Sequence, residues 1–113
     1  EEDFLMATQE MLMAEGFRVT ASATSASAVA MVRDGLQPDL VLLDYRMPVL
    51  TGPEALAQMR TQGLHCPAVL ISAIRDVGKT AQGTGFSAHL EKPFSFAELV
   101  ALIRPMLSTL SPR

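Results

Sequence analysis

The fold is decided by the stretch DLVLLD at residues 39–44, a continuous aliphatic run that ends on an acid. A strand that is buried on both faces carries apolar side chains at every position, whereas a strand with one wet face alternates. A second run of this kind, AVLIS at residues 68–72, follows Pro67. The two runs therefore predict strands inside a parallel sheet that has helices on both of its faces.

Helical and strand-like segments alternate on either side of these two runs. The predicted elements are helices at residues 4–15, 25–34, 54–62 and 96–110, and strands at residues 17–21, 39–44, 68–72 and 87–91. The glycine-rich residues 75–85 predict only a short helix. Strands that alternate with helices of this length form right-handed βαβ units. We therefore predict an α/β fold with a doubly wound parallel sheet.

Two helices carry recognisable start signals. Pro53 stands where a first-turn proline belongs. Ser95 is followed three residues later by Glu98, the pattern of a capping box. Pro105 lies inside the last predicted helix, where it should kink the helix or remove one hydrogen bond.

The composition limits the classes of protein that this chain can represent. Its 113 residues suffice for one domain, and we expect residues 1–113 to form it. A net charge of -3 without a run of Lys or Arg argues against a nucleic-acid surface. The apolar runs are too short to cross a membrane. A single cysteine allows no internal disulfide, which is typical of a soluble protein of the cytoplasm.

Three polar residues follow predicted strands. Asp44 and Ser72 end their strands, and Lys92 comes directly after the last one. Because parallel strands end at the same edge of a sheet, we expect these side chains to cluster. A carboxylate can attack a phosphoryl group, and an ammonium and a hydroxyl can bind its oxygens. The sequence therefore indicates phosphoryl chemistry, which relies on positioning and charge neutralisation.

Four motifs carry a resemblance to a known family. They are LLDYRMP at residues 42–48, LTG at 50–52, LISA at 70–73 and LEKPF at 90–94. In this order and at this spacing they resemble the receiver domain of bacterial response regulators, the proteins of two-component signal transduction. The resemblance covers essentially the whole chain and implies a flavodoxin-like (βα)5 fold.

The resemblance implies a role for each site residue. Asp44 would be the phosphoacceptor, Lys92 would pair with the phosphate, and Ser72 would swing toward it. The backbone carbonyl of Arg46 and the Asp44 carboxylate would be ligands of Mg²⁺. The family often has Tyr or Phe at the position of His89, where the aromatic rotamer follows the hydroxyl, so histidine there is a departure.

The resemblance also implies that part of the metal site lies elsewhere. The family's acidic pair, at the end of its first strand, aligns just upstream of Glu1. Using Glu2 and Asp3 as the pair would shorten the first helix by about one turn. We therefore expect the chain to lack the first strand, which would lie between the strands at 17–21 and 39–44. The resemblance further implies a cis peptide bond between Lys92 and Pro93.

The implied partner is a histidine kinase or a histidine phosphotransfer protein, and a homodimer is also compatible with the family. Beyond phosphorylation of itself the domain would turn over no substrate, apart from intrinsic autophosphatase activity. The first predicted helix has more methionines than one buried face accommodates, and Met6 and Met13 are candidates for a kinase surface.

Three other functions remain open. A degenerate receiver would take no phosphate and serve only in docking or dimerisation. An aspartate-nucleophile phosphatase would need a second aspartate where Arg46 stands. Flavin binding would need a phosphate-cradling loop, for which Thr24 and Ser25 are the only material.

His65 beside Cys66 could suggest a metal pair, but a turn residue and a small buried thiol are the better interpretation.

Overall fold

A computed structural model describes residues 2–46, 49–73 and 85–108 of the chain. Within these residues there are four helices and three strands. They are α1 (Glu2–Ala14), α2 (Ser25–Arg33), β1 (Val41–Asp44), α3 (Gly52–Thr61), β2 (Ala68–Ala73), β3 (Ala88–Lys92) and α4 (Phe96–Ser108). The predicted short helix at residues 75–85 lies outside the described residues, apart from Gly85.

The three strands form one parallel sheet in the order β1-β2-β3. Asp44 is in register with Ile71, and Ala73 with Lys92. The prediction of parallel strands at all three places is confirmed, and their carboxyl ends meet at one edge of the sheet.

The central strand β2 is covered on both faces. Val69 packs with Leu12, Leu99 and Ile103 on the face of α1 and α4. On the other face a second cluster joins α2 and α3 to the sheet through buried apolar side chains, among them Val29, Leu43, Ala55, Leu56, Met59 and Ala68. Two buried faces explain why the run at 68–72 is apolar without alternation.

Side-chain caps fix the starts of the helices. The Ser95 backbone N–H donates to Glu98 Oε1 at 2.8 Å, and the Glu98 N–H donates to Ser95 Oγ at 3.1 Å, so the predicted capping box is confirmed. Thr51 and Glu54 form a second box at α3. Pro105 is accommodated within α4.

The prediction of a strand at residues 17–21 is wrong, because this segment pairs with none of the described strands. It is extended chain whose half-buried Phe17 and Val19 side chains pack against the core on the α1–α4 face. A ladder needs a neighbouring backbone edge, and none of the described residues lies beside this segment as a strand. The Arg104 guanidinium does contact it, 5.0 Å from the Phe17 ring centroid, and pairs with Glu15 at 2.9 Å.

Among the described residues, no helix has both the length and the apolar character needed to cross a membrane.

Candidate functional site

The carboxylate of Asp44 and the ammonium of Lys92 meet at the carboxyl edge of the sheet. Lys92 Nζ donates to Asp44 Oδ2 at 2.6 Å, and each side chain is 29% exposed. The backbone N–H of Arg46 donates to Asp44 Oδ1 at 3.2 Å. Both carboxylate oxygens therefore accept from a donor while the group remains accessible to solvent.

The sheet places these two residues although 48 positions separate them in sequence. The Tyr45 N–H donates to the Ile71 carbonyl at 2.7 Å, which continues the ladder one residue beyond β1. On the other side of β2, Lys92 is in register with Ala73. Asp44 and Lys92 thus stand on the outer strands at the end of the central one. The Lys92–Pro93 peptide bond is cis, as the resemblance implies.

Gly52 lies against the backbone of Asp44. Its N–H donates to the Tyr45 carbonyl at 3.0 Å and closes the loop between β1 and α3. A Cβ atom at Gly52 would stand 2.6 Å from the Asp44 carbonyl oxygen, closer than such atoms come. A glycine is therefore required for α3 to begin this close to Asp44. The sequence indicated this glycine only as part of a motif, without its contact.

Ser72 is buried at the end of the central strand, with 0% of its surface exposed. Its Oγ atom makes no hydrogen bond within the described part of the chain. A buried hydroxyl without a partner is unfavourable by about 1–3 kcal/mol. The structure thus places Ser72 at the predicted edge of the sheet but records no contact between its hydroxyl and Asp44 or Lys92.

His89 lies on β3, in register with Leu70, and its side chain is exposed. Along β3 the residues alternate, and Ala88 and Leu90 pack into the core on the α1–α4 face. The alternation therefore turns His89 toward the opposite face of the sheet. His89 is therefore an exposed strand residue.

Ser25 is a residue that the sequence did not single out for the site. It is the first residue of α2, it is fully buried, and its Oγ accepts from the Leu50 N–H at 3.3 Å. The contact joins α2 to the loop that follows Asp44. The sequence drew attention to Ser25 only as possible material for a phosphate-cradling loop, and no local pattern indicates its contact with Leu50.

The described residues supply only part of a Mg²⁺ site. No three side chains among them that are His, Cys, Asp or Glu come together as a metal would need. Asp44 offers one carboxylate, and the Arg46 carbonyl belongs to the same loop. Magnesium is held by one or two carboxylates together with waters and phosphate oxygens. Asp44 and Arg46 thus fit a partial ligand set, and the same search gives no support to a His65–Cys66 metal pair.

Cys66 lies away from this edge of the sheet, in the turn before β2. Arg60 donates to the carbonyls of Cys66 at 2.7 Å and of Leu64 at 3.1 Å, which orders this turn. Burial raises the pKa of the Cys66 thiol, and the nearby Arg60 charge opposes that shift. A protonated, half-buried thiol is a poor nucleophile, which agrees with the structural role expected for it.

The family follows from the chain's match to known proteins. The family model for the response regulator receiver domain matches residues 1–104. The chain therefore belongs to the response regulator receiver domain family, the receivers of two-component signalling systems.

Curated relatives agree with this assignment. The chain is 31% identical over 109 residues to the transcriptional regulatory protein PrrA of Mycobacterium tuberculosis (strain ATCC 25618 / H37Rv), covering 95% of this chain and 46% of PrrA. It is 31% identical over 101 residues to PdtaR of the same strain, covering 88% of this chain and 49% of PdtaR. The chain thus spans about half the length of the curated relatives it matches.

Solved structures show the same flavodoxin-like fold. The receiver domain of the Francisella response regulator 1452 superposes with a TM-score of 0.88 at 21% identity, covering 98% of this chain and 93% of that one. The receiver domain of the sensor histidine kinase PA1611 from Pseudomonas aeruginosa PAO1 has a TM-score of 0.80 at 28% identity, covering 96% and 88%. That structure has a magnesium ion coordinated in its active-site cleft.

Proposed function

We propose that Asp44 is the phosphoacceptor of this receiver domain and that phosphorylation there switches its conformation. The observation that carries the proposal is the contact of 2.6 Å between Lys92 Nζ and Asp44 Oδ2 at the carboxyl edge of the sheet. An ammonium held against a partly exposed carboxylate offers a nucleophile and a neutralising charge at one point. These are the two elements that transfer of a phosphoryl group requires from a protein.

In the proposed reaction a carboxylate oxygen of Asp44 attacks the phosphorus of a phosphohistidine. The phosphorus–nitrogen bond breaks as the new phosphorus–oxygen bond forms, and the departing imidazole takes up a proton. Asp44 then carries an acyl phosphate. The Lys92 ammonium remains beside it and pairs with a phosphate oxygen, which offsets the added negative charge.

Ser72 is proposed as the residue that responds to the phosphate. Its buried Oγ has no partner among the described residues, so a phosphate oxygen would give it one. A hydroxyl that gains its hydrogen bond only after phosphorylation favours the phosphorylated conformation. His89 is proposed to follow this movement, although its exposed side chain makes a weaker coupling than a buried aromatic ring would.

The cofactor of the proposed reaction is Mg²⁺, held in part by the Asp44 carboxylate and the Arg46 backbone carbonyl. When bound, the ion neutralises charge on the phosphoryl oxygens. The acidic pair that the resemblance implies would supply the remaining ligands. The magnesium ion in the active-site cleft of the PA1611 receiver domain, which is 28% identical, supports magnesium as the cofactor.

The proposed donor is a histidine kinase or a histidine phosphotransfer protein, which would contact α1. Met6 and Met13 are seven residues apart on this helix and are 57% and 53% exposed. Replacing both with Gln should weaken binding of the donor and leave Tm nearly unchanged, because neither side chain is buried. A fall in Tm would instead place them in the core.

The proposal is tested by incubating the protein with acetyl phosphate and Mg²⁺, followed by intact-mass spectrometry. We expect one phosphate adduct, which Asp44→Asn abolishes and chelation of Mg²⁺ suppresses. Asp34→Asn is the matched control, since the Asp34 side chain is 71% exposed at the end of α2. An adduct that persists in Asp44→Asn, or its absence from the native protein, would refute the proposal.

The alternative is a degenerate receiver that acts only in docking or dimerisation. It is favoured because the described residues contain no group of three His, Cys, Asp or Glu side chains that could hold a metal ion. A native protein that binds its partner but never acquires a phosphate adduct would establish this alternative.

A further inference from the structure

The loop that follows Asp44 contains a residue in an unfavourable backbone conformation. Val49 has a φ of 72° and is 88% exposed. Only glycine adopts such angles readily, and a β-branched side chain there is a genuine outlier. Because the side chain is exposed, packing of Val49 itself does not explain why the strained conformation is kept.

Strain of this kind persists only where the surrounding structure enforces it. Relative to a relaxed loop, it disfavours the observed conformation by a factor of about five to one hundred and fifty. The contacts that hold the loop must therefore compensate for it. Such outliers concentrate at functional sites, where the strain belongs to the mechanism.

The far end of the loop is held by contacts at the start of α3. Thr51 and Glu54 form their capping box, and the Gly52 N–H reaches the Tyr45 carbonyl. These contacts fix residues 51 and 52. They lie two or more residues after Val49, on the far side of Leu50.

The contact directly beside Val49 comes from α2. The Leu50 N–H, which belongs to the peptide following Val49, donates to Ser25 Oγ at 3.3 Å. Ser25 itself cannot give way easily, because it is fully buried at the first position of α2. The helix start is in turn fixed by Thr24, whose Oγ1 accepts from the Ser27 N–H at 3.1 Å.

We propose that Ser25 is a positioning residue for the Asp44 site. Its hydroxyl holds the Leu50 peptide and keeps Val49 in its left-handed conformation, and this fixes residues 49 and 50 directly before the start of α3. The role of Ser25 in phosphorylation rests on the proposed function of Asp44. Its role in holding the loop does not.

The consequence for the site runs through the first residues of the loop. Arg46 donates its N–H to Asp44 Oδ1 and would offer its carbonyl to the metal. Without the contact to Ser25, residues 49 and 50 would relax, and the change would reach Arg46 through Gly52, whose N–H donates to the Tyr45 carbonyl. Since only the competent conformation reacts, the apparent rate of phosphorylation would fall in proportion to its population.

The first test compares Ser25→Ala with Ser27→Ala, the same change at an exposed position of the same helix. We expect Ser25→Ala to slow phosphorylation by acetyl phosphate about fivefold, the equivalent of one hydrogen bond, and Ser27→Ala to leave the rate unchanged. Acetyl phosphate is the donor because it excludes an effect on docking of a partner protein. Equal rates in the two variants would overturn the positioning role.

The second test removes the strain. Val49→Gly removes the strain of the left-handed conformation. In that background Ser25→Ala should slow phosphorylation less than twofold, whereas in the native protein it should slow the reaction about fivefold. The double variant also keeps the test valid if Ser25→Ala alone folds poorly, since its loop is unstrained. Additive effects of the two changes would mean that Ser25 does not act on Val49.

A third measurement does not depend on phosphorylation. In Ser25→Ala the Leu50 amide should exchange with solvent faster, and the Arg46 amide resonance should shift, whereas Ser27→Ala should affect neither. If the native protein takes no phosphate but these amides respond, the proposed function fails and Ser25 still holds the loop. Unchanged amides would refute the inference whatever the phosphorylation result.

Discussion

Residues 17–21 and residues 39–44 are both predicted to be strands, but only the second segment forms one, β1. Residues 17–21 alternate between apolar and polar side chains, and β1 is a short aliphatic run. β1 pairs along its length with β2, from Val41 opposite Ala68 to Asp44 opposite Ile71. Residues 17–21 have no such neighbour among the described residues and remain extended chain. The difference teaches that the available partner edge, more than local sequence, decides where a ladder forms.

The same difference in pairing bears on the candidate site, which lies on the paired strands and not on residues 17–21. Asp44 and Lys92 are fixed by registers within the ladder. The 17–21 segment holds its place through side chains, with Phe17 beneath Arg104. We therefore expect the site to depend on the pairing of β1, β2 and β3 and to tolerate changes in residues 17–21.

The largest effect should come from matched substitutions in the two regions. Val69→Ala in β2 removes two methyl groups from a side chain with 0% exposure. It should lower the free energy of unfolding by about 2–3 kcal/mol. Val19→Ala deletes the same atoms from a half-buried position outside the ladder and should lower it by about 1 kcal/mol or less. Urea denaturation of both variants measures the difference.

Equal losses of unfolding free energy in Val69→Ala and Val19→Ala would contradict this difference between the two segments. They would mean that residues 17–21 are held as firmly as the central strand. A strand paired with this segment in the native protein, such as the first strand that the family resemblance implies, would produce that result.

A second, smaller effect on stability is expected when Gly52 or Gly35 is replaced with alanine. Gly52→Ala places a methyl group 2.6 Å from the Asp44 carbonyl, whereas at Gly35 the added atom meets nothing within 4 Å and only the positive φ of 114° opposes it. Both changes should lower stability by about 1–3 kcal/mol. Only Gly52→Ala should also slow phosphorylation of Asp44, because the clash displaces the backbone of the phosphoacceptor.

Tm and the rate of adduct formation from acetyl phosphate, measured for both glycine variants, check this. If Gly35→Ala slows the reaction as much as Gly52→Ala does, the contact with Asp44 is not the cause.

Whether a feature of the fold or of the candidate site could be predicted from the sequence depends on whether that feature is local. The capping box of Ser95 and Glu98 and the three strands follow from patterns within a few residues, and the structure has them. The meeting of Asp44 with Lys92 follows from one topological rule for parallel strands. The contact of Ser25 with Leu50 and the conformation of Val49 depend on how α2 packs beside the loop, which no pattern in the sequence specifies.

A third prediction concerns Ser72, whose hydroxyl is buried without a partner among the described residues. Ser72→Ala removes an unsatisfied group, so the free energy of unfolding should stay constant or rise by about 1 kcal/mol. Phosphorylation or its effect on conformation should nevertheless be impaired. Ser27→Ala serves as the exposed control in urea denaturation. A clear loss of stability in Ser72→Ala would reveal a hydrogen bond in the resting protein.

The smallest effect is expected at Cys66. Burial raises the pKa of its thiol above the ordinary value, so the folded chain binds this proton more tightly than the unfolded chain does. The contribution to stability is therefore complete below the unfolded pKa and is lost as the pH rises through the folded one. At pH 8, iodoacetamide should react more slowly with the native protein than with the protein in urea. Equal rates would show that the thiol is not protected.

The contacts of α1 bear on how the chain is made. Leu12 shares its core cluster with Leu99 and Ile103 of α4, and Glu15 pairs with Arg104. On the ribosome, α1 emerges before α4, and roughly ten seconds of synthesis at usual rates separate the two helices. During that interval the apolar side of α1 has none of these partners to cover it. This side of the core can therefore close only after α4 has emerged.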